Sequence, residues 1–182
     1  MFYDEFSVCE RPTMFYAWAP RNSRPQVKSN ERHRRRCNGL LAVDALTGQT
    51  DLQLKEQAKA EDIAGYLAQL VVKTAEQGYS KLSIILDNCR THKRKMRQAL
   101  ATLLQQQGVE SKIELHFIDL PPYSPDFNLA EYLIHQIRLQ ILHHHPLNWT
   151  LEQIKENLEQ QMCSRQLQTP SRFRRHCNIY GV

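Results

Sequence analysis

The sequence of 182 residues lacks the features of a membrane protein or of a disulfide-rich secreted domain. No apolar run approaches the ~18 residues that a membrane-spanning helix requires. The opening MFYDEFSVCE carries acidic residues where a signal peptide would be basic, so no export signal is predicted. The five cysteines form no C-x-x-C pair, which disfavours a zinc knuckle or a disulfide framework. A cytoplasmic protein with reduced thiols is therefore expected.

The composition suits one globular domain. Hydrophobic residues make up 41% of the sequence, which is enough for the core of a single domain spanning 1–182. No internal repeat or long linker divides the chain. The formal net charge of +5 and the pI of about 9.0 give a modest basic excess. Such an excess suits a polyanionic partner such as DNA, although many basic proteins bind no nucleic acid.

The hydrophobic pattern alternates along the chain between the periods of strands and of helices. Strands are predicted at 1–8, 14–20, 38–48, 81–88 and 112–121. Helices are predicted at about 59–77, at 92–108, at 128–145 and from Thr150 onward, with Gly78 and Gly108 as stops for the first two. The order β-β-β-α-β-α-β-α, followed by the last helix, predicts an α/β fold with a mixed five-stranded sheet and helices on both faces.

Three acidic residues fall where two strands and a loop can bring them together. Asp87 follows the apolar run KLSIIL, which is typical of a strand buried on both faces, and lies at the end where open α/β sheets place ligand sites. Asp4 and Glu5 face opposite sides of the opening strand, so only one of them is expected to join Asp87. Glu131 follows the stiff, proline-rich loop in LPPYSPDFNLAE. Such carboxylates repel one another unless a divalent cation such as Mg²⁺ neutralises them.

Each acid also has a simpler explanation when it is taken alone. Asp87 and Asn88 can form an ordinary turn after a strand. Asp4 can be a solvated residue near a terminus. Asn128 and Glu131 have the spacing of a capping box, in which the glutamate only satisfies the start of a helix.

The conjunction of these segments resembles a known family. The pattern D-N-x-x-x-H from Asp87 to His92, and P-Y-S-P-D-x-N-x-x-E ending at Glu131, are similar to the catalytic core of mariner-superfamily transposases, and more narrowly to the bacterial insertion-sequence branch of DDE superfamily endonucleases. The opening FYDEF, then WAPRNSRP and NGLLAVDALTG, match that family's layout in order. The resemblance covers residues 1 to about 145.

The resemblance implies an RNase H-like fold and a catalytic, metal-binding triad of Asp4, Asp87 and Glu131. Two Mg²⁺ or Mn²⁺ ions are the implied cofactors. The implied activity is hydrolysis of DNA at the ends of a mobile element, followed by attack of a DNA 3′-hydroxyl on target DNA. Element ends and target DNA are the expected partners, a homodimer is the usual assembly of the family, and the expected place is the bacterial nucleoid in the cytoplasm.

The sequence departs from the family at its front. Relatives carry a helix-turn-helix DNA-binding region before the first acid, whereas three residues precede Asp4 here. A separately encoded or frameshift-joined N-terminal DNA-binding region is therefore an expected partner. The competing interpretations are a catalytically inactive DNA-binding or dimerisation remnant, and an RNase H-like nuclease of another kind. Asn22 stands where the family often has glycine, and asparagine can adopt the left-handed conformation that such a turn needs.

Several further residues are candidates for support of the reaction or for binding of DNA. Asn88 and His92 follow Asp87, and His135 and Arg138 share a helix face with Glu131. The best candidates for phosphate contacts are Arg32, Arg34, Arg35, Arg36, Lys93, Arg94, Lys95 and Arg97, although all can equally form a solvated basic face. The run His143 to His145 is not predicted to bind metal, because consecutive residues point apart on a helix.

Overall fold

The structure is a computed structural model, which describes residues 1–12, 18–23, 35–122, 124–143 and 145–164. The strands are β1 (Phe2–Cys9), β2 (Arg36–Val43), β3 (Thr50–Lys55), β4 (Lys81–Leu86) and β5 (Glu114–Asp119). The helices are α1 (Ala60–Glu76), α2 (Arg94–Gln106), α3 (Leu129–Ile137) and α4 (Leu151–Ser164). Short helical turns lie at Arg90–His92, Pro125–Phe127 and Arg138–Leu142.

The strands form one five-stranded sheet in the order β3-β2-β1-β4-β5. Strand β2 pairs antiparallel with β1 and with β3, and a short turn joins β2 to β3. Strand β4 pairs parallel with β1, and β5 pairs parallel with β4, because each of these two strands is reached through a helix. The predicted mixed sheet is therefore confirmed, with β1 as its central strand.

Alternation along β1 divides the core between two helical layers. Tyr3 points into the cluster formed with α1 and α2, whereas Phe2 and Phe6 point into the cluster formed with α3 and α4. Opposite Phe6 on β2 lies Gly39, where an added Cβ would stand 2.5 Å from the phenylalanine ring. The two layers consequently meet β1 from opposite faces, a geometry that also separates Asp4 from Glu5.

Two of the predicted strands are placed differently in the structure. The predicted segment 14–20 lies outside the described residues as far as 17, and residues 18–20 are not in a strand. The strand predicted at 38–48 corresponds to β2, which ends earlier, at Val43. A turn from Asp44 to Gln49 then leads into the edge strand β3, which was not predicted. Only one face of β4 is fully buried, since Lys81 and Ser83 are exposed. The prediction of a strand buried on both faces was wrong for its first half, because on the face toward α3 and α4 only Ile85 packs against the core, and only partly.

The helices follow the predictions more closely. Gly78 and Gly108 end α1 and α2 with φ values of +88° and +64°, which is the left-handed conformation that glycine adopts readily. The predicted helix 128–145 is shorter, because α3 ends at Ile137 and a π-helical turn follows. Asn22 takes the expected left-handed conformation with a φ of +66°. None of the described helices is both long and apolar enough to cross a membrane.

Candidate active site

The pairing of β1 with β4 places Asp4 level with Asp87. Phe2 of β1 pairs with Ile85 of β4 in parallel register. Asp4 lies two residues after Phe2, and Asp87 lies two residues after Ile85. Neighbouring strands lie about 4.8 Å apart, so the two residues are close neighbours at one end of the sheet. Asp4 is buried, with 8% of its surface exposed, whereas the side chain of Asp87 is 51% exposed.

Asn128 connects the start of α3 to Asp4. Its Nδ2 donates to Asp4 Oδ2 at 3.0 Å and to the carbonyl oxygen of Tyr3 at 3.3 Å, while its Oδ1 accepts from the amide of Ala130 at 3.1 Å. Asparagine can make both kinds of bond because its side chain carries donors as well as an acceptor. The sequence analysis assigned Asn128 only a capping role and missed its bond to Asp4.

Glu131 does not close the capping box that its spacing allows. The cap of α3 is provided by the side chain of Asn128, and no hydrogen bond from the Asn128 amide to Glu131 is found in the described part of the chain. Glu131 lies one turn into the helix and is half-buried. The competing explanation, that this acid only satisfies the helix start, is therefore not supported by the geometry.

The proline-rich loop before α3 is held at both ends beside the two aspartates. Where it begins, the amide of Leu120 donates to the carbonyl oxygen of Leu86, the residue before Asp87, at 2.9 Å. Where it ends, Asn128 binds Asp4. The loop thus places the start of α3, and with it Glu131, by two anchors at the same end of the sheet.

The electrostatics of Asp4 show that the three acids act on one another. Burial raises the pKa of Asp4 to about 7, and the negative charge of Glu131 adds to the rise. Glu5 and Asp87 raise this pKa further, whereas the amide of Glu5, which donates to Asp4 Oδ1 at 2.8 Å, lowers it. Three elements, β1, the end of β4 and α3, therefore bring negative charge to one place.

His92 bridges Asp87 and Glu5 from the other side of the sheet. The imidazole is completely buried; its Nδ1 lies 2.6 Å from Asp87 Oδ1 and its Nε2 lies 2.8 Å from Glu5 Oε1. Two further donors join these carboxylates: the amide of Cys89 binds Asp87 Oδ1 at 3.1 Å, and the hydroxyl of Tyr3 binds Glu5 Oε1 at 2.9 Å. Glu5 lies on the face of β1 opposite Asp4, as expected, and is linked to Asp87 only through His92.

The bond between His92 and Asp87 raises the pKa of the imidazole and lowers the pKa of the carboxyl group, so it favours the charged form of both. Burial opposes a charge on His92, but the hydrogen bonds to Asp87 and Glu5 outweigh it and raise the pKa of the imidazole to about 10. The bond from His92 lowers the pKa of Asp87, against the effect of partial burial. Asp87 is thus an ionised carboxylate held by a cation at the pH of a cell.

The carboxylate oxygens of the acids suit divalent cations, although the acids do not form a closed metal cage. Carboxylate oxygens are the ligands that Mg²⁺ and Mn²⁺ prefer, and burial together with the charge of Glu131 raises the pKa of Asp4, a cost of ionisation that a bound cation would offset. Within the described residues, no three or more side chains of His, Cys, Asp or Glu form a ready-made metal cage. Such an open set is compatible with Mg²⁺, which usually takes one or two carboxylates from the protein and its other ligands from water and phosphate.

The predicted supporting residues differ in their exposure to solvent. Asn88 is exposed beside Asp87. On α3 and the turn after it, His135 is exposed and Arg138 is half-buried, whereas the intervening apolar residues face the core. His145 is buried and stacks on Trp149, with ring centroids 6.3 Å apart, and His144 lies outside the described residues.

Most of the predicted phosphate-binding cations that the structure describes are already paired with acids. Arg35 forms a two-pronged ion pair with Glu152. Asp119 binds Lys93 at 3.3 Å and Arg97 at 2.6 Å. The remaining cations lie as follows: Lys95 pairs with Glu61 at 2.7 Å, Arg36 and Arg94 are exposed, and Arg32 and Arg34 lie outside the described residues. Exposed pairs of this kind are weak, so they can open to a phosphate, and the predicted contacts remain predictions.

Comparisons with known proteins show the family of the chain and agree with its fold. The family model of DDE superfamily endonucleases matches residues 1–155. A comparison with curated proteins gives no match. Among solved structures, the chain is similar to a Mos1 transposase paired-end complex with the left transposon end, at a TM-score of 0.65 and 14% identity. It is also similar to a Mos1 mariner paired-end complex with Mn, at a TM-score of 0.66 and 14% identity, and to the Mos1 strand transfer complex, at 0.62 and 15%.

These likenesses concern a part of the larger protein. They cover 94%, 94% and 99% of this chain, but 49%, 50% and 54% of the respective Mos1 chains. The chain therefore spans about half the length of the solved proteins that it matches. The likeness confirms the predicted RNase H-like fold.

Proposed function

The chain belongs to the DDE superfamily endonucleases, and from that premise we propose that it is the catalytic domain of a DNA transposase. The proposed reaction is metal-dependent hydrolysis of phosphodiester bonds at the ends of a mobile element. Transfer of the freed DNA 3′-hydroxyl into target DNA follows. The observation that supports the proposal is the placement of Asp4 beside the end of β4 that leads into Asp87, together with the effect of the charges of Glu131 and Asp87 on the pKa of Asp4.

Asp4, Asp87 and Glu131 are proposed to hold two Mg²⁺ or Mn²⁺ ions. When bound, such ions lower the pKa of a water or hydroxyl nucleophile and stabilise the leaving oxygen of the phosphodiester. Related structures support this choice, since there are Mos1 paired-end complexes with Mn and with Mg.

Each acid has a distinct part in the proposed site. Asp4 is the buried ligand, which Asn128 and the amide of Glu5 hold in place. Asp87 is half-exposed at the end of β4, where a DNA strand can approach it. Glu131 comes from α3, whose start is fixed by the proline-rich loop. Positioning of this kind matters because displacement by about 1 Å in a reacting site can cost 10²-fold in rate.

The proposed partners are the element ends and target DNA. The Mos1 structures support this choice, because they are described as complexes with a transposon end and as a strand transfer complex. A homodimer and an N-terminal DNA-binding region, encoded separately or joined by frameshifting, complete the proposed assembly. The bacterial cytoplasm, where the nucleoid lies, is its proposed place of action.

The test uses DNA that carries the ends of the element encoding this chain, with Mg²⁺ or Mn²⁺ and with the upstream DNA-binding region supplied. Asp87→Asn and Glu131→Gln should each abolish nicking while the proteins stay folded. Glu114→Gln is the matched control, because this acid forms surface pairs with Lys81 and His116 at the opposite end of the sheet, and it should leave nicking unchanged.

The competing functions predict different outcomes. Nicking that persists in Asp87→Asn and Glu131→Gln contradicts the assigned triad. DNA binding that depends on salt, with no nicking in any divalent metal, identifies an inactive remnant instead. Cleavage of branched DNA in preference to element ends identifies an RNase H-like nuclease of another kind.

A further inference from the structure

Glu5 has no place in the proposed triad, yet its side chain is built into the site. It points away from Asp4, toward the α1 and α2 layer, and is 20% exposed. One oxygen, Oε1, accepts from the Tyr3 hydroxyl at 2.9 Å and lies 2.8 Å from His92 Nε2. A carboxylate that converges with two partners in the protein interior costs desolvation free energy, so its placement calls for a role.

His92 contacts both carboxylates, so the position of its ring links Glu5 to Asp87. The ring is completely buried between the two carboxylates, with one nitrogen directed at each. The ring of Tyr3 packs edge-on against the imidazole at a centroid distance of 5.6 Å. The imidazole therefore cannot turn without losing contacts on several sides.

The backbone of His92 is anchored as well. Its carbonyl oxygen accepts from Arg97 Nε at 3.2 Å, and the same guanidinium binds Asp119 at the end of β5 at 2.6 Å. This guanidinium also lies over the ring of Phe117, 4.7 Å from its centroid. Both the ring and the main chain of His92 are thus fixed relative to the sheet.

We propose that Glu5 is a positioning residue, which holds the carboxylate of Asp87 in its metal-binding orientation through His92. Asp87 follows the last residue of β4 and is half-exposed, so without His92 only the bond from the Cys89 amide would restrain its side chain. The hydrogen bonds that connect Tyr3, Glu5, His92 and Asp87 restrict the Asp87 side chain, and they act from the face of the sheet opposite Asp4. This inference rests on the proposed function, since it assigns Asp87 to the metal site.

The expected effect of a Glu5 substitution on metal affinity can be judged from other residues that orient a metal ligand without binding the metal. Loss of a group that orients a metal ligand typically costs 10–100-fold in metal affinity or activity. Glu5→Ala removes both the charge and the acceptor, so we expect Mn²⁺ affinity to fall by about 10–100-fold. Glu5→Gln keeps an acceptor oxygen for His92 and should recover most of that loss. Tyr3→Phe removes only the second bond to Glu5 and should have a smaller effect.

The experiment combines a measurement of metal binding with one on the metal-free protein. Mn²⁺ affinity is measured by electron paramagnetic resonance for wild type, Glu5→Ala, Glu5→Gln and Tyr3→Phe, with Glu114→Gln as the control for loss of an acid. Carbon-13 spectra of the aspartate carboxyl groups then report whether Asp87 changes its surroundings in Glu5→Ala without any metal. A merely structural role of Glu5 lowers the melting temperature but leaves the Asp87 resonance and Mn²⁺ affinity in place.

The outcomes separate this inference from the proposed function. If wild type binds Mn²⁺ through Asp87 and nicks element ends, but Glu5→Ala matches it in Mn²⁺ affinity, the positioning role is wrong and the function stands. If the Asp87 carboxyl resonance is the same in wild type and Glu5→Ala, the proposed coupling of Glu5 to Asp87 through His92 is wrong, whatever the Mn²⁺ affinities are. If wild type neither binds Mn²⁺ nor nicks DNA, the proposed function fails and the inference falls with it.

Discussion

Replacement of Asp4 by asparagine is expected to stabilise the metal-free protein while it abolishes catalysis. Asp4 is buried among like charges, and its pKa in the folded protein is about 7 because of burial and the nearby Glu131. At pH 8 the folded protein must keep this carboxylate ionised without a cation. The asparagine side chain has nearly the same shape and no charge, so the substitution would remove that electrostatic cost.

The size of this effect follows from the pKa of Asp4. The ordinary value of 3.8 applies to the unfolded chain, and the folded value is about 7, with burial as the largest cause. A pKa difference of that size corresponds to roughly 4 kcal/mol of stability lost on ionisation. Below about pH 4 the cost is absent, between about pH 4 and 7 it grows, and above pH 7 it is complete.

The substitution also removes a favourable contact. The Oδ2 atom of Asp4 accepts from Asn128 Nδ2, and an amide nitrogen in its place cannot accept. An unmatched buried hydrogen-bonding group costs about 1–3 kcal/mol. The net gain for Asp4→Asn at pH 8 is therefore about 1–3 kcal/mol, or about 2–4 °C in Tm for each kcal/mol in a chain of this size.

The assay is thermal unfolding followed by circular dichroism, with a chelator present, from pH 4 to pH 8.5. Asp4→Asn should melt above wild type at pH 8, and the difference should shrink and then reverse toward pH 4. Asp51→Asn is the control, because Asp51 is paired with Lys73 at 2.9 Å and its loss should not stabilise the protein. In a parallel series without chelator, Mg²⁺ should raise the Tm of wild type but not that of Asp4→Asn, since only a bound metal stabilises the folded state.

Two outcomes would refute the reasoning. If Asp4→Asn melts below wild type at pH 8, the carboxylate is stabilised by its surroundings and the three acids do not form a repulsive cluster. If the difference in Tm is the same at pH 4 and at pH 8, ionisation of Asp4 is not the cause. Either result removes the electrostatic support for a cation site at this end of the sheet.

The remaining predictions concern the two side chains that hold the aspartates. Asn128→Ala should lower the free energy of unfolding by about 2–3 kcal/mol, because the helix cap and the bond to Asp4 are both lost, and urea titration of the purified variant measures this. The pKa of His92 rises from 6.5 to about 10, despite burial, through its bonds to Asp87 and Glu5, so the stability that it contributes is complete below pH 6.5 and is lost as pH rises toward 10. Urea unfolding from pH 6 to pH 10 should show this loss in wild type but not in His92→Gln.

The sequence was most informative where a signal was strong and local. Helix α1 has its apolar residues at helical spacing and a glycine stop, and it lies where the pattern predicted it. Strand β3 gave no such signal, because all six of its residues are half-buried at the edge of the sheet. The apolar segment 14–20 had a stronger strand pattern than TDLQLK, so the prediction placed a strand there and overlooked the edge strand.

The acids were predictable, but their supports were not. Alternation along β1 left Asp4 and Glu5 as alternatives for the partner of Asp87, and only the family resemblance selected Asp4. The bond between Glu5 and His92 joins residues that are 87 positions apart in the chain. Contacts over such a separation depend on the packing of α2 and its preceding turn against the sheet, which no local pattern reveals. The second bond of Asn128 was hidden in the same way behind its obvious capping role.

The site depends on both helical layers, although each aspartate belongs to one strand. Asp4 is held from the α3 side by Asn128, and Asp87 is held from the α2 side by His92. The loop before α3 is anchored next to both, at Leu86 and at Asp4. A substitution that shifts either layer should therefore change the distance between the carboxylates, even when the acids themselves are intact. Under the proposed function, rigidity in the loop and in the buried histidine would keep the three acids within reach of the same ions.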